Sequence, residues 1–264
     1  MDLRVASLYR YPVKGLSPER LARADLVKGC YFPADRLFAV ENGPSGFDAA
    51  VPQHQPKIKF LMLMRNEALA RLTTRYDDAA MTLTIEEGGR EVARGDLSRA
   101  DGRLAIEAFF RRFMPRELRG APKVLAAPDG FRFTDSRRGF VSIINLASIQ
   151  AIEEMAGAPV DPLRFRGNIH IAGLAPWREF DLVGRILEGP AGVRLKVTKR
   201  IERCAATNVD PATGQRDLAI PKLLMSRLGH ADCGVYAEVL SGGSIAEGER
   251  LIFEAPAQAD LPLS

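Results

Sequence analysis

The chain of 264 residues carries 37 Lys and Arg against 33 Asp and Glu, a formal net charge of +4, and is 46% hydrophobic and 27% charged. That size suits one large domain or two small ones, can bury roughly 70–75% of the unfolded surface and needs no disulfide staple. Its arginines are spread along the chain, which excludes the clustered basic element of a nucleic-acid binder. Three cysteines, Cys30, Cys204 and Cys233, form no CxxC pair, which excludes a secreted disulfide framework, a four-ligand structural zinc site and an iron–sulfur domain. The N-terminal MDLRVASLYRYPVKG lacks the basic-then-apolar build of a secretory signal, and no window approaches the roughly 18 apolar residues of a membrane span. The expected address is cytoplasmic, with no membrane and no nucleic-acid partner. The basic balance favours a small anionic ligand.

In chain order, residues 3–11 alternate and are β-branched or aromatic enough to predict a strand. Two more follow over 22–29 and 35–43, then a Gly/Pro/Ser loop at 43–46. Residues 62–72 predict a short helix, and 71–78 with 81–89 a hairpin. Leu104, Ile106, Phe109, Phe110 and Phe113 give 100–114 an amphipathic helical pattern. The stretch 115–122 is the linker candidate. Beyond it, strands are predicted at 122–128, 131–136 and 141–146, a helix over 146–157 closed by Gly157, and strands over 168–173, 185–204 and 234–255. Many short strands with few helices predict a mainly β fold, a barrel or closed sheet with appended helices.

The chemistry-bearing candidates are few. RCAATNVDPATGQRD, residues 203–217, sets Cys204 beside Arg203 where a strand pattern ends in a turn-rich tail. A guanidinium next to a thiol favours the thiolate, the form that attacks or ligates metals; the alternative is a strand-end cysteine with no role. YPVKG puts Lys14 between a turn proline and Gly15, either a phosphate ligand with close backbone approach or a solvated turn lysine. Arg36, Arg166 and Asn168 together could fork an anion, or each serve as a surface ion-pair or turn residue. FTDSRR offers Thr134 and Ser136 hydroxyls with Arg137 and Arg138, a phosphate cradle or a basic turn. The histidines His54, His170 and His230 share no metal spacing, and His170 in NIHIAG reads as a packed strand residue. P-loop, GxGxxG and GxSxG motifs are missing, which removes the usual support for nucleotide-binding and hydrolase readings.

Taken in order, YPVKG, GCYFPADRLFAV, FTDSRRGFVSIINLASI, FRGNIHIAG, RCAATNVDPATG and GVYAEVLSGGSIAEGERL resemble the successive blocks of two-domain MOSC proteins, such as the mitochondrial amidoxime-reducing component and its bacterial relatives. The resemblance implies an α+β, mainly β fold: a smaller N-terminal MOSC-associated domain over 1–115 and a MOSC β-barrel domain over 116–264. It implies a molybdopterin-type molybdenum cofactor whose metal is bound through Cys204, which is then also the catalytic position. Lys14, Arg36, Ser136, Arg166, Asn168 and Arg203 match the family's cofactor-binding positions, and Tyr236 matches a further cofactor-proximal tyrosine. Departures are Gly15 where the family has serine, Gly167 where FRPN has proline, and Cys233-Gly234 where it has Phe-Gly.

The expectation that follows is an oxidoreductase reducing N-hydroxylated or N-oxide small molecules. The chain ends at Ser264 without the ferredoxin-like extension of some relatives, so electrons are expected from a separate redox protein. The alternatives are a sulfur-carrying, cofactor-handling module with a persulfide on Cys204, and a non-catalytic cofactor-binding domain.

Overall fold

A computed structural model describes residues 2–135 and 141–253. The first half runs β1 (Arg4–Arg10), β2 (Glu19–Leu21), β3 (Arg23–Leu26), β4 (Phe38–Asn42), β5 (Leu72–Asp77), β6 (Thr82–Glu87), β7 (Arg90–Asp96) and helix α1 (Ala100–Phe113). The second half runs β8 (Pro122–Ala126), β9 (Val141–Asn145), helix α2 (Leu146–Ala156), β10 (Ile169–Ala172), β11 (Ile186–Glu188), β12 (Arg194–Glu202), helix α3 (Ile220–Leu228), β13 (Asp232–Ser241), β14 (Gly243–Ala246) and β15 (Ile252–Phe253). The fold is mainly β with appended helices, and its largest element is an eight-stranded sheet in the order β15-β11-β12-β13-β9-β10-β1-β2.

Local sequence explains most of these elements. In β5, Leu72, Thr74 and Tyr76 are buried while Thr73, Arg75 and Asp77 are exposed, the period of two that a half-buried strand requires. Ile106, Phe109 and Phe110 form the buried stripe of α1 with Phe113 packed against the same core, an i, i+3, i+4, i+7 set. Leu104, two residues before that stripe, falls on the opposite side and is 56% exposed. Asn145 caps α2, its side-chain oxygen accepting from the Ala147 N–H at 3.2 Å, and Gly157 ends it in the left-handed conformation.

Three expectations change. Residues 131–135 are not a strand: the Phe133 N–H donates to the Arg36 carbonyl at 3.1 Å, and Phe131 and Phe133 pack with Phe47 and Phe60 in an aromatic cluster. The helix over 62–72 shrinks to a 3-10 turn at Glu67–Arg71. Asn66 is the cause, because its side chain accepts from the Met62 N–H at 3.1 Å and so closes the preceding residues into a turn. Finally, α3, β2 and β7 were not foreseen.

Pairing links the two halves of the chain. β1 is antiparallel to β10, β3 to β14 and β4 to β8. One hydrophobic core lies under the large sheet, including Leu8, Ile143, Ile171 and Val235; a second joins α1 to the β5-β6-β7 sheet. Glu107 of α1, buried, accepts from the Val124 N–H of β8 at 2.9 Å and ties that second core to the crossing strand. No helix among the described residues is long and apolar enough to cross a membrane.

Candidate functional site

The chain leaves β1 at Tyr11 and lies against the start of β4. The Tyr11 N–H donates to the Asp35 carboxylate at 2.9 Å, the Arg36 N–H to the Tyr11 carbonyl at 2.7 Å, and the Lys14 N–H to the Phe38 carbonyl at 2.8 Å. Gly15 has φ +84°, and a Cβ there would sit 2.8 Å from the Leu61 carbonyl oxygen. Its glycine therefore serves the close passage of one chain segment past another.

Here Arg36 and Arg166 converge, although 130 residues separate them: the Arg36 guanidinium donates to the Arg166 carbonyl at 3.2 Å. Both residues have a left-handed backbone, φ 49° and 53°, which costs a non-glycine residue roughly 1–2 kcal/mol and is typical of functional positions. Their guanidiniums lie 4.5 and 4.3 Å from the centre of the buried Tyr11 ring, a cation–π arrangement that holds two like charges near each other. Burial works against the charge on Arg36, but Asp35 outweighs it and leaves the group above the usual arginine range. Arg166 pairs with no carboxylate among the described residues; burial and then the charge of Arg36 bring it down to about 10, against the weaker pull of Tyr11, Asp35 and Asp135. Its Nη1 donates to the Leu16 carbonyl at 2.7 Å, while Nη2 is buried without a partner among the described residues.

Lys14 is buried beside them, its ammonium donating to the Phe133 carbonyl at 3.0 Å and to the Asp135 carboxylate. Burial pulls Lys14 down, and Asp135 opposes that pull. Burial pushes Asp135 up, yet Lys14, Lys57 and Arg36 together hold it down at about 2. At this end of the cleft four cations, Lys14, Arg36, Arg166 and Lys57, face the carboxylates Asp35 and Asp135. The excess is positive.

Cys204 lines the same cleft, half-buried, where β12 has ended and a 3-10 turn over Ala205–Asn208 begins. The tail behind it is fastened as its turn residues imply. Asp210 accepts from the N–H groups of Ala212 and Thr213 at 3.0 and 2.7 Å, and Gly214 takes φ +71°. Buried Arg164 grips the loop from below, pairing with Asp210 at 3.0 Å and Asp217 at 2.7 Å. Arg216 reaches the first half of the chain, donating to the Leu63 and Met64 carbonyls at 2.9 and 2.8 Å.

Arg203 does not face the thiol. Its guanidinium donates to the Phe165 carbonyl at 2.9 Å and to the Cys233 carbonyl, because successive side chains of extended backbone point to opposite sides. The cation whose charge couples to the Cys204 thiol is Lys57, from the first half of the chain, which also lies 3.5 Å from Asp135. Sequence reading missed Lys57, Asp135 and Tyr11. Lys14, Arg36, Arg166, Asn168, Arg203, Cys204 and Tyr236 nevertheless all line one cleft with a volume of about 1330 Å³.

The sequence matches two family models, a MOSC N-terminal beta barrel domain over residues 2–112 and a MOSC domain over residues 131–252. The chain belongs to the MOSC family. Among solved structures it is similar to the YUAD protein from Bacillus subtilis, 12% identical over 95% of this chain and 94% of that one with a TM-score of 0.45. It is also similar to YiiM from Geobacillus stearothermophilus, 20% identical over 47% of this chain and 58% of that one with a TM-score of 0.36. Among curated proteins none matches.

The remaining MOSC-domain positions divide between wall and scaffold. Asn168 is buried, its side-chain oxygen accepting from the Ser142 N–H and hydroxyl at 3.1 and 2.8 Å and its amide donating to the Tyr9 carbonyl at 3.2 Å. It ties β9 to β1, leaving at most one amide hydrogen for a ligand. Gly167 would place a Cβ 2.2 Å from Ile144, so it sits in a closely packed turn. Tyr236 is raised by burial, and the Lys199 ammonium lies 5.5 Å from its ring. Ser136, Arg137 and Arg138 lie outside the described residues. Cys233 is fully buried, which pushes its thiol up to about 12. It is therefore a packing residue and not a second thiol of the site.

A molybdenum cofactor can be tested against these groups. No cluster of three His, Cys, Asp or Glu side chains suited to a metal occurs among the described residues. A metal held at Cys204 must therefore bring most of its ligands with it, as a pterin-bound metal does. The unanswered Arg166 nitrogen and the surplus of cations suit the phosphate of such a carrier. The residues fit the group.

Proposed function

We propose that the cleft binds a molybdopterin-type molybdenum cofactor and that the protein reduces N-hydroxylated or N-oxide small molecules, with electrons delivered by a separate redox protein. The observation that carries this reading is the meeting of Lys14, Arg36 and Arg166 in the same cleft as Cys204. Lys14, Arg36 and Arg166 would hold the phosphate, two of them as planar forks and one as a point charge. Cys204 would supply the protein's one sulfur ligand, a soft donor suited to molybdenum. When bound, the cofactor supplies the two-electron oxygen-transfer chemistry. The chain's own work is to fix that carrier at both ends. Arg164 and Arg203 hold the Cys204 loop and its neighbouring strand in place, and Tyr236 with Lys199 forms the wall beyond the sulfur.

The test is expression alongside a working cofactor pathway, followed by metal analysis and an amidoxime-reduction assay with an artificial electron donor. Wild-type protein should carry near-stoichiometric molybdenum and reduce the substrate. Cys204→Ser should reduce activity at least about a hundredfold, in the range seen when a metal site loses a ligand or its support. Wild-type protein devoid of molybdenum under these conditions would refute the reading.

A further inference from the structure

Asp135 occupies an odd position for a carboxylate. It sits in a cleft whose other charges at that end invite an anion, and one of its oxygens already accepts from the Lys14 ammonium. Its second oxygen lies 3.5 Å from Lys57. The Lys14 side chain is 9% exposed and that of Asp135 46%. The lysine is thus fixed within the protein, whereas the carboxylate approaches it from the open side. Arg36 has a different partner, Asp35, whose side chain is only 5% exposed. Asp35 also accepts from the Tyr11 N–H, so it belongs to the wall and cannot leave without unmaking the turn.

From this asymmetry we infer that Asp135 is a displaceable internal anion, seated on Lys14 until the phosphate group of a ligand takes its place. The inference rests on the anion-binding part of the function proposed above. A phosphate that engages Arg166 and Arg36 must also approach Lys14, and an ionised carboxylate there repels it. Lys57 offers the carboxylate a second cation on the sulfur side, so release from Lys14 does not strand it. The arrangement discriminates. A bare phosphate must displace Asp135 with the affinity of the seat alone, whereas a ligand that also binds elsewhere in the cleft brings further binding energy to the exchange.

Titration of the full-length protein, prepared without cofactor, with inorganic phosphate tests this by calorimetry and phosphorus NMR line width. Asp135→Asn should bind phosphate about tenfold more tightly than wild type, a gain fitting one half-exposed like charge. Asp135→Glu, which keeps the charge, should stay near wild type, and Asp135→Ala should follow Asn if the asparagine variant misfolds. Equal or weaker binding by both neutral variants, while Arg166→Gln loses phosphate, would overturn the role of Asp135 and leave the anion seat standing. If Arg166→Gln and Lys14→Met bind phosphate as wild type does, the seat itself fails, and this inference falls with it.

Discussion

Arg166 shows how much of the site a single side chain can report. It has a strained backbone, a depressed pKa and one nitrogen without a partner among the described residues, all within a few ångströms of Arg36. No one of these stabilises the fold, and together they are what the proposed anion seat requires of Arg166. The sequence made Lys14, Arg36, Arg166 and Cys204 legible because each sits in a short block with its own turn chemistry. Lys57 and Asp135 were not legible: 78 positions separate them, and Lys57 meets Cys204 only through the tertiary fold. The thiol's cationic neighbour was sought one residue away, at Arg203, although extended backbone turns adjacent side chains apart.

The same scale gives a pH prediction. His170 is buried on β10, 5.0 Å from the Tyr9 ring, with Nε2 unpartnered among the described residues. Burial, then the charge of Arg203, lowers it from 6.5 to about 4. The unfolded chain therefore takes up this proton first as pH falls. Stability is fully present above about pH 6.5 and is lost progressively down to about pH 4, by roughly 2 kcal/mol between pH 7 and 5. His170→Phe removes this slope. Its melting temperature should fall about 4–8 °C less than that of wild type over the same interval, and equal falls would show that His170 is not the group responsible.

At the level of elements, hydrophobic period and stop signals found most of the strands and two of the three helices. Residues 131–135 show where that signal misleads: alternating aromatics look like a strand, but no neighbouring backbone completes a ladder and the rings make a cluster of their own. The helix α3 had a readable signature that went unused, Pro221 in its first turn and left-handed Gly229 at its end. β13 carries a stricter constraint. Gly234 has φ +77°, and a Cβ there would lie 2.5 Å from the Ile143 carbonyl oxygen and 3.0 Å from the Arg203 guanidinium. Gly229 is also left-handed, φ +76°, but opens on space. Gly229→Ala should therefore cost only the backbone term, about 1 kcal/mol, whereas Gly234→Ala should cost about 2–4 kcal/mol. Thermal melts of the two variants side by side decide the matter, and equal losses would mean the β13–β9 contact yields without strain.

At the scale of the whole molecule, the two family matches cut the sequence near residues 112 and 131, while the hydrogen bonding does not respect that cut. β1 and β2 complete the large sheet, β3 pairs with β14, and β8 returns to pair with β4. This interleaving is what brings Lys14, Arg36 and Lys57 of the first half against Arg166 and Cys204 of the second. A fragment of residues 1–115 would leave β3 and β4 without their partner strands and β1 with β2 alone, and would expose Leu3, Val5 and Leu8, which are at most 1% accessible in the whole chain. Independent folding needs a core that closes on itself, and the fragment keeps only the one around α1. It should show no cooperative melt by circular dichroism across its full length, and the intact chain should unfold in one transition seen identically by tryptophan fluorescence and far-ultraviolet signal. Trp177 reports the second half and the far-ultraviolet signal both halves. Two separated transitions, or a fragment with native-like dispersion of its amide resonances, would show that the halves fold apart and that the cleft is assembled afterwards by docking.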